Sequence, residues 1–156
     1  MPQLKKGVKA PAFRLRNQDD KEVSLGDFKG KKLLVYFYPR ADTPGCTKQS
    51  CAVSEAMPQL DKAGIAAVGI SPDTPDKQKK FEEKHGLRFP LLCDTDHAVA
   101  EAYGAWGTKM MYGKEHEGII RSSFLVDEAG RIEKAWYKVK PEDTVPNVLE
   151  VAQNSD

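Results

Sequence analysis

The segment from Lys32 to Gly64 decides the fold of this chain, and it reads KLLVYFYPRADTPGCTKQSCAVSEAMPQLDKAG. Its part from Leu33 to Tyr38 is apolar or aromatic throughout, which is typical of a strand buried on both faces. Pro39 ends that strand, because proline cannot donate to the ladder of a sheet. Apolar residues then recur at helical spacing from Val53 to Ala63, and a glycine follows as a stop. The segment therefore predicts a buried strand followed by a helix.

Cys46 falls where this helix is predicted to begin. Pro44 and Gly45 precede it, and proline is favoured in a first helical turn. The first turn offers unpaired amides and the positive end of the helix dipole, which favour an anion. A cysteine so placed is expected to be largely thiolate at neutral pH, the reactive form of the side chain. A lone cysteine near a helix start is nevertheless usually structural, so the surrounding motif decides.

The residues around Cys46 spell Pro39-x-x-x-Thr43-x-x-Cys46. This resembles the active-site motif of the peroxiredoxins, P-x-x-x-T-x-x-C. With Cys51 on the next turns, the segment resembles the bacterioferritin comigratory protein group, also called PrxQ. The resemblance runs from G-x-x-A-P-x-F at residues 7–13 to FLVD at residues 124–127. It implies a thioredoxin-like α/β sandwich, with a central mixed sheet flanked by helices and an added N-terminal β-hairpin.

The resemblance also implies roles for four residues of this sequence. Cys46 would be the peroxide-attacking thiolate, and Thr43 would hydrogen-bond the thiolate and the peroxide. Pro39 would shield the sulfur from water, and Arg121 would support the thiolate and polarise the peroxide. Taken alone, each of the last three has a simpler interpretation: a threonine near a helix cap, a proline ending a strand and an arginine in a surface pair.

Cys51 is the candidate that resets the oxidised sulfur, because a sulfenic acid condenses with a nearby thiol to a disulfide. Residues five apart on an intact helix have α-carbons about 8.6 Å apart, whereas a disulfide tolerates at most about 6.8 Å. A Cys46–Cys51 bond therefore requires the first turns to unwind. Thr47, Gln49 and Ser50 are not expected to resist this strongly. The alternative interpretation of Cys51 is an inert, half-buried cysteine.

The other candidate residues have no motif to support them. Cys93 lies in an apolar run and is predicted to be a small core residue, although a Cys46–Cys93 disulfide is the rival to a Cys46–Cys51 bond. The histidines lack metal-ligand spacing and are predicted to be ordinary surface residues; they are His85, His97 and His116. Three further residues are predicted either to line the peroxide pocket, to meet a partner or to pack in a core or loop: Trp106, Met110 and Met111.

The remainder of the chain predicts alternating strands and helices. Residues 12–25 indicate two short strands around a turn, and a capping box at 24–27 indicates one helical turn. Residues 65–70 suit a strand parallel to the first, with an intervening crossover helix. Strands are further predicted over 89–93, 120–126 and 132–139. Helices are predicted over 76–85 with an N-cap at Thr74, from a cap at Asp96 to residue 104, and from Pro141 onwards. Residues 105–119 show no clear period and are expected to form a mobile loop.

The composition restricts the class of protein. The chain has 156 residues and no evident linker, which predicts a single domain over residues 1–156. Its 24 basic and 23 acidic residues give a net charge of +1, without the basic excess of a nucleic-acid surface. No apolar run approaches the roughly 20 residues of a membrane span, and residues 1–6 lead into no secretory signal. With three cysteines, a reducing, cytoplasmic location is expected.

The sequence and its resemblance together predict a thiol peroxidase in antioxidant defence and cell redox homeostasis. Its substrates would be hydrogen peroxide and organic hydroperoxides, and its electrons would come from thioredoxin or a similar dithiol. No cofactor or metal is expected, and the resemblance implies a monomer. A disulfide oxidoreductase on the same fold would use Cys-x-x-Cys, whereas four residues separate Cys46 from Cys51. A non-enzymatic holdase or interaction module would need a large exposed apolar surface.

Overall fold

The computed structural model of the chain describes residues 3–154, except for the side chains of Met111 and Asn154. The strands are β1 (Arg14–Asn17), β2 (Glu22–Ser24), β3 (Lys32–Phe37), β4 (Ile65–Ser71), β5 (Leu91–Cys93), β6 (Trp106–Met111), β7 (Lys114–Ile119), β8 (Ser122–Val126) and β9 (Ile132–Trp136). The helices are α1 (Pro44–Lys62), α2 (Pro75–His85), α3 (Ala98–Ala102) and α4 (Thr144–Asn154), with a 3₁₀ helix at Leu25–Phe28. None of the described helices is both long enough and apolar enough to cross a membrane.

Strand β3 lies inside a seven-stranded mixed sheet with the order β2-β1-β5-β4-β3-β8-β9. It pairs in parallel with β4, from Lys32 opposite Ile65 to Phe37 opposite Ile70, and antiparallel with β8. The predicted strand–helix–strand unit is therefore confirmed. The N-terminal hairpin of β1 and β2 joins the same sheet through β5. The architecture is the predicted thioredoxin-like α/β sandwich with an added N-terminal hairpin.

Strand β3 divides the core into two layers, because successive side chains of a strand point to opposite faces. Its odd-numbered residues from Leu33 to Phe37 pack with Tyr103 and Phe124 on one face. Its even-numbered residues and Tyr38 pack on the other face against the apolar sides of α1, α2 and α4. This double burial explains why the strand carries no polar residue between Leu33 and Tyr38.

Helix α1 begins directly after this strand and the short loop that follows it. Thr43 is the N-cap residue and Pro44 the first helical residue, so the helix begins at Pro44 and Gly45, where its start was predicted. The helix contains Pro58, whose nitrogen cannot donate to the carbonyl of Ser54. The chain leaves the helix at Gly64, which adopts a φ of 74° that a residue with a side chain rarely accepts. Because α1 starts at Pro44, Cys46 lies in its first turn, just after the carboxyl end of β3.

The prediction of a mobile loop over residues 105–119 was wrong. Strands β6 and β7 form a separate antiparallel hairpin, closed by Tyr112 and Gly113 with φ values of 53° and 77°. Two positive φ values in a two-residue connection are typical of a type I′ turn. The base of the hairpin is held by the ring of Trp106, which stacks on His97 at a centroid distance of 3.8 Å.

Two predicted helix starts also differ from the structure. Helix α4 begins at Thr144 rather than at Pro141. Helix α3 has His97 rather than Asp96 as its N-cap, and the carboxylate of Asp94 accepts the amides of residues 99 and 100 at 3.2 and 2.9 Å. The buried carboxylate of Asp94, outside the helix, therefore accepts from the first free amides of α3, which the prediction assigned to Asp96. The side-chain oxygen of Asp96 accepts only from the amide of Ala98.

Candidate active site

Cys46 is the third residue of α1 and only 1% exposed. Its side chain packs in the core layer that contains Tyr36 and Tyr38. The amide of Cys46 has no hydrogen-bond acceptor among residues 3–154. The first turn of α1 therefore offers both a sulfur atom and an unused N–H donor at the same point.

Arg121 supplies the second polar group at this point. It directly precedes β8, and its Nη2 donates to the Sγ atom of Cys46 at 3.4 Å. Gly45 leaves room for this approach, because a β-carbon at that position would lie 3.2 Å from Nη2 and would require the guanidinium to shift by a few tenths of an ångström. A guanidinium beside the sulfur and the positive end of the helix both favour a negative charge on Cys46.

Gln49 orients this guanidinium, and the sequence interpretation missed it. Its Oε1 accepts from Nη1 of Arg121 at 2.6 Å, and its Nε2 donates to Oγ1 of Thr144 at 2.7 Å. Thr144 in turn shares a hydrogen bond of 3.0 Å with Ser123. Gln49 is completely buried, so these bonds are shielded from water. The glutamine thus joins the active-site arginine to α4 and β8.

The expectation that Gln49 and Ser50 offer little resistance to unwinding was wrong. Both side chains are fully buried and hydrogen-bonded in the described structure, Ser50 to the hydroxyl of Tyr36 at 2.8 Å. Burial raises the pKa of Tyr36 far above its usual range, so this hydroxyl stays protonated. Opening the first turns of α1 therefore breaks buried hydrogen bonds, which intrinsic helix propensity does not reveal.

We expect Gln49→Met to destabilise the reduced protein by about 1–3 kcal/mol. Methionine has a volume similar to that of glutamine, but Arg121 and Thr144 each lose a buried hydrogen-bond partner. The same change should slow the oxidation of Cys46 by peroxide, since Nη1 of Arg121 loses the acceptor that orients the guanidinium towards the sulfur. Urea unfolding and stopped-flow oxidation measure the two effects. Gln59→Met is the matched control, because Gln59 lies on the exposed side of the same helix. Equal stabilities of the two variants would contradict this role.

Thr43 and Pro39 lie on the loop between β3 and α1. The hydroxyl of Thr43 donates to the carbonyl of Arg40 at 2.8 Å rather than to the sulfur of Cys46. Pro39 is half-buried and lines an open cleft together with Arg121. The loop is fixed from the other side, where Asp73 accepts the amide of Ala41 at 2.6 Å. The loop conformation is therefore held by β4 and α2 as well as by α1.

The prediction that all three histidines are ordinary surface residues was wrong for His85. His85 pairs with the carboxylate of Asp42 at 2.9 Å and packs edge-on against Phe81. Hydrogen bonds from His85 and Lys84 lower the pKa of Asp42, which lies on the active-site loop. Among the described residues, no group of three acidic, histidine or cysteine side chains could hold a metal ion.

The other two cysteines differ from Cys46 in their surroundings. Cys51 is partly exposed in a groove beside Glu55 and His85, and burial and then the charge of Glu55 raise its pKa. Cys93 is buried in β5 as predicted, and burial raises its pKa to about 12. Both thiols therefore favour the protonated form at neutral pH, which disfavours either of them as the attacking nucleophile.

An open cleft runs from Arg121 towards the β6–β7 hairpin. Lys109 and Met110 line it, and Met110 is exposed, so the predicted pocket role fits Met110 better than a core role. Trp106 instead packs against the core and stacks on His97; the side chain of Met111 lies outside the described parts. The sequence interpretation did not single out Lys109, because its stretch was interpreted as a mobile loop.

Comparison with known proteins gives one consistent result. Residues 6–135 match the AhpC/TSA family. The chain is 50% identical over 143 residues to a putative peroxiredoxin bcp of Haemophilus influenzae, covering 92% of both chains. It is 51% identical over 136 residues to peroxiredoxin Bcp of Escherichia coli strain K12, covering 87% of both. The Xanthomonas campestris bacterioferritin comigratory protein, studied for its alkyl peroxide reduction activity, superimposes with a TM-score of 0.88 at 33% identity, over 96% of this chain and 98% of the other.

Proposed function

The chain belongs to the AhpC/TSA family and is a peroxiredoxin of the bacterioferritin comigratory protein group, a thiol peroxidase, and we propose how its own residues carry the reaction. Cys46 attacks hydrogen peroxide or an organic hydroperoxide and becomes a sulfenic acid. Cys51 then forms a disulfide with it, and thioredoxin or a similar dithiol reduces that disulfide. We place this activity in antioxidant defence, in a monomer of the cytoplasm.

The observation that carries the proposal is the 3.4 Å contact between Arg121 Nη2 and Cys46 Sγ at the start of α1. The thiolate attacks the terminal peroxide oxygen, the O–O bond breaks, and negative charge moves to the departing oxygen. The guanidinium and the free amide of Cys46 are the donors available to that charge. Donors that are already aimed at the developing charge lower the barrier without reorganisation.

Thr43 and Pro39 complete the proposed site. The hydroxyl of Thr43, which donates to the carbonyl of Arg40 in the structure, would exchange that bond for one to the peroxide. Pro39 forms part of the cleft wall next to Arg121 and would keep water from the sulfur. A drier site strengthens each of these electrostatic interactions.

The proposed disulfide requires a change of structure. Cys46 and Cys51 both lie on the unbroken helix α1, and their thiols are free. The helical spacing of about 8.6 Å between their α-carbons exceeds the 6.8 Å or so that a disulfide spans. The first turns of α1 must therefore open, which breaks the buried bonds of Gln49 and Ser50. Oxidation of Cys46 would favour opening if the sulfenic acid fits the site less well than the thiolate.

We expect Cys51→Ser to react with one equivalent of peroxide and then to stall as a sulfenic acid. Without a resolving thiol it should turn over poorly with thioredoxin and proceed to sulfinic acid in excess peroxide. The oxidised wild type should lose helical circular dichroism and gain fast amide exchange near Cys46. Mass spectrometry of the alkylated, oxidised protein tests the pairing. A peptide joining Cys46 to Cys93, with Cys51 alkylated, would contradict it.

Peroxide reduction by the purified chain with thioredoxin, thioredoxin reductase and NADPH tests the proposed function. NADPH consumption should require peroxide, the chain and thioredoxin together. A preparation that exchanges disulfides with other proteins but leaves peroxide untouched would support a disulfide oxidoreductase instead. Replacing thioredoxin by a small dithiol separates the peroxide step from the choice of reductant.

A further inference from the structure

The cleft that opens beside Arg121 combines apolar walls with positive charge. Pro39, Ile120 and Val139 contribute apolar surface, and the β6–β7 hairpin forms the opposite side. Lys109, Arg121 and Lys138 contribute cationic groups to the same cleft. None of the described residues that line it carries a carboxylate. The cleft therefore suits a molecule with an apolar body and a negative charge.

Lys109 is unusual among the lysines of this chain because it is half-buried without a partner. Its ammonium makes no hydrogen bond or ion pair with any of residues 3–154. Lys32, which is similarly shielded, has the carboxylate of Glu133 at 2.9 Å. A cation withdrawn from water without a counter-ion is unfavourable, and an arriving anion would offset that loss.

The electrostatic environment of Lys109 also favours the binding of an anion. Burial lowers the pKa of its ammonium, and the charge of Arg121 acts in the same direction, whereas Cys46 raises it. These interactions place Lys109 within electrostatic reach of the reacting pair. Arg121 already donates to Gln49 and Cys46. Lys138 also lines the cleft but is exposed, so Lys109 is the half-buried cation of the cleft whose donors are unused.

We propose that Lys109 is a specificity-determining residue that binds the negative charge of anionic organic hydroperoxides, such as those that carry a carboxylate. The inference rests on the proposed peroxidase function and names a substrate class for the same site. The carboxylate takes no part in the chemistry. Cys46 is oxidised to the sulfenic acid as it bonds to the terminal oxygen, the O–O bond breaks, and the departing alkoxide takes a proton from solvent to become the alcohol.

Two hydroperoxides with the same reacting group test this. Cumene hydroperoxide is neutral, and its para-carboxylate derivative adds one negative charge remote from the O–O bond. The readout is the ratio of their second-order rate constants for oxidising reduced protein, followed by tryptophan fluorescence. The wild type should favour the carboxylate, and added salt should reduce the ratio. Lys109→Met should lower the ratio roughly tenfold, as expected for one charge in a partly buried site.

Two matched variants serve as controls for Lys109→Met. Lys109→Arg should keep most of the preference, because it keeps the charge. Lys114→Met should keep all of it, since Lys114 is exposed on the same hairpin and does not line the cleft. Lys109→Gln gives the same readout if Lys109→Met does not fold. A wild type without preference, or a ratio unchanged in Lys109→Met, would overturn the inference. Failure of both hydrogen peroxide and cumene hydroperoxide to oxidise Cys46 would instead overturn the proposed function.

Discussion

Cys46→Ser is expected to reduce peroxide turnover to the uncatalysed background while leaving the fold intact. The hydroxyl is nearly isosteric with the thiol and can still accept the hydrogen bond from Nη2 of Arg121, so the buried guanidinium keeps a partner. The hydroxyl of serine does not ionise at neutral pH, whereas the thiol of cysteine can form the nucleophilic thiolate. NADPH-coupled turnover and single-turnover oxidation measure the loss.

Thermal unfolding of the reduced variant supplies the control for this result. A transition close to that of the wild type shows that the loss lies in chemistry rather than in folding. Cys93→Ser is the matched variant at a buried cysteine outside the site, and it should retain turnover. Wild-type turnover in Cys46→Ser would contradict the assignment of the nucleophile and would direct attention to Cys51.

The second large effect is expected for Arg121→Ala, which should slow the attack on peroxide by roughly 10²–10³-fold. The variant removes a donor to the sulfur and to the departing oxygen, and it leaves Oε1 of Gln49 without its donor. Arg121→Lys should not restore the full rate, because an ammonium cannot contact Gln49 and Cys46 through two separate nitrogens in a fixed plane. Stopped-flow oxidation measures the rate directly.

A matched arginine variant separates the local role of Arg121 from a general loss of positive charge. Arg14→Ala removes an exposed arginine whose ion pair with Glu22 lies on the N-terminal hairpin, so it should leave the rate of attack on peroxide at the wild-type value. Equal rates of attack in Arg121→Ala and Arg14→Ala would refute the role of the active-site guanidinium.

The sequence predicted what is local along the chain. The strand–loop–helix from Leu33 to Gly64 has strong local determinants, namely an uninterrupted apolar run, a proline and a helical period. The position of Cys46 at the helix start followed from these determinants alone. Arg121 lies 75 positions away, and only the resemblance to a family placed it beside the cysteine.

The residues that were missed depend on contacts between distant parts of the chain. Gln49 bonds Arg121 and Thr144 across 72 and 95 positions, and no local pattern distinguishes it from Gln59 on the same helix. The β6–β7 hairpin was missed because β7 is exposed along most of its length, so it lacks the alternation that marks a half-buried strand. Its turn also lacks the Asn-Gly or Asp-Gly pair that usually identifies a type I′ hairpin.

Pro58 limits how much of α1 can lose its helical structure when Cys46 is oxidised. Since its nitrogen cannot donate to the carbonyl of Ser54, the helix has a missing hydrogen bond between the turn that carries Cys51 and the turn that carries Leu60. The missing bond weakens the coupling between the two halves of α1, and the second half is anchored by Leu60 in the core. We expect the oxidised protein to lose order only before Ser54, so that each catalytic cycle unfolds only a small part of the molecule.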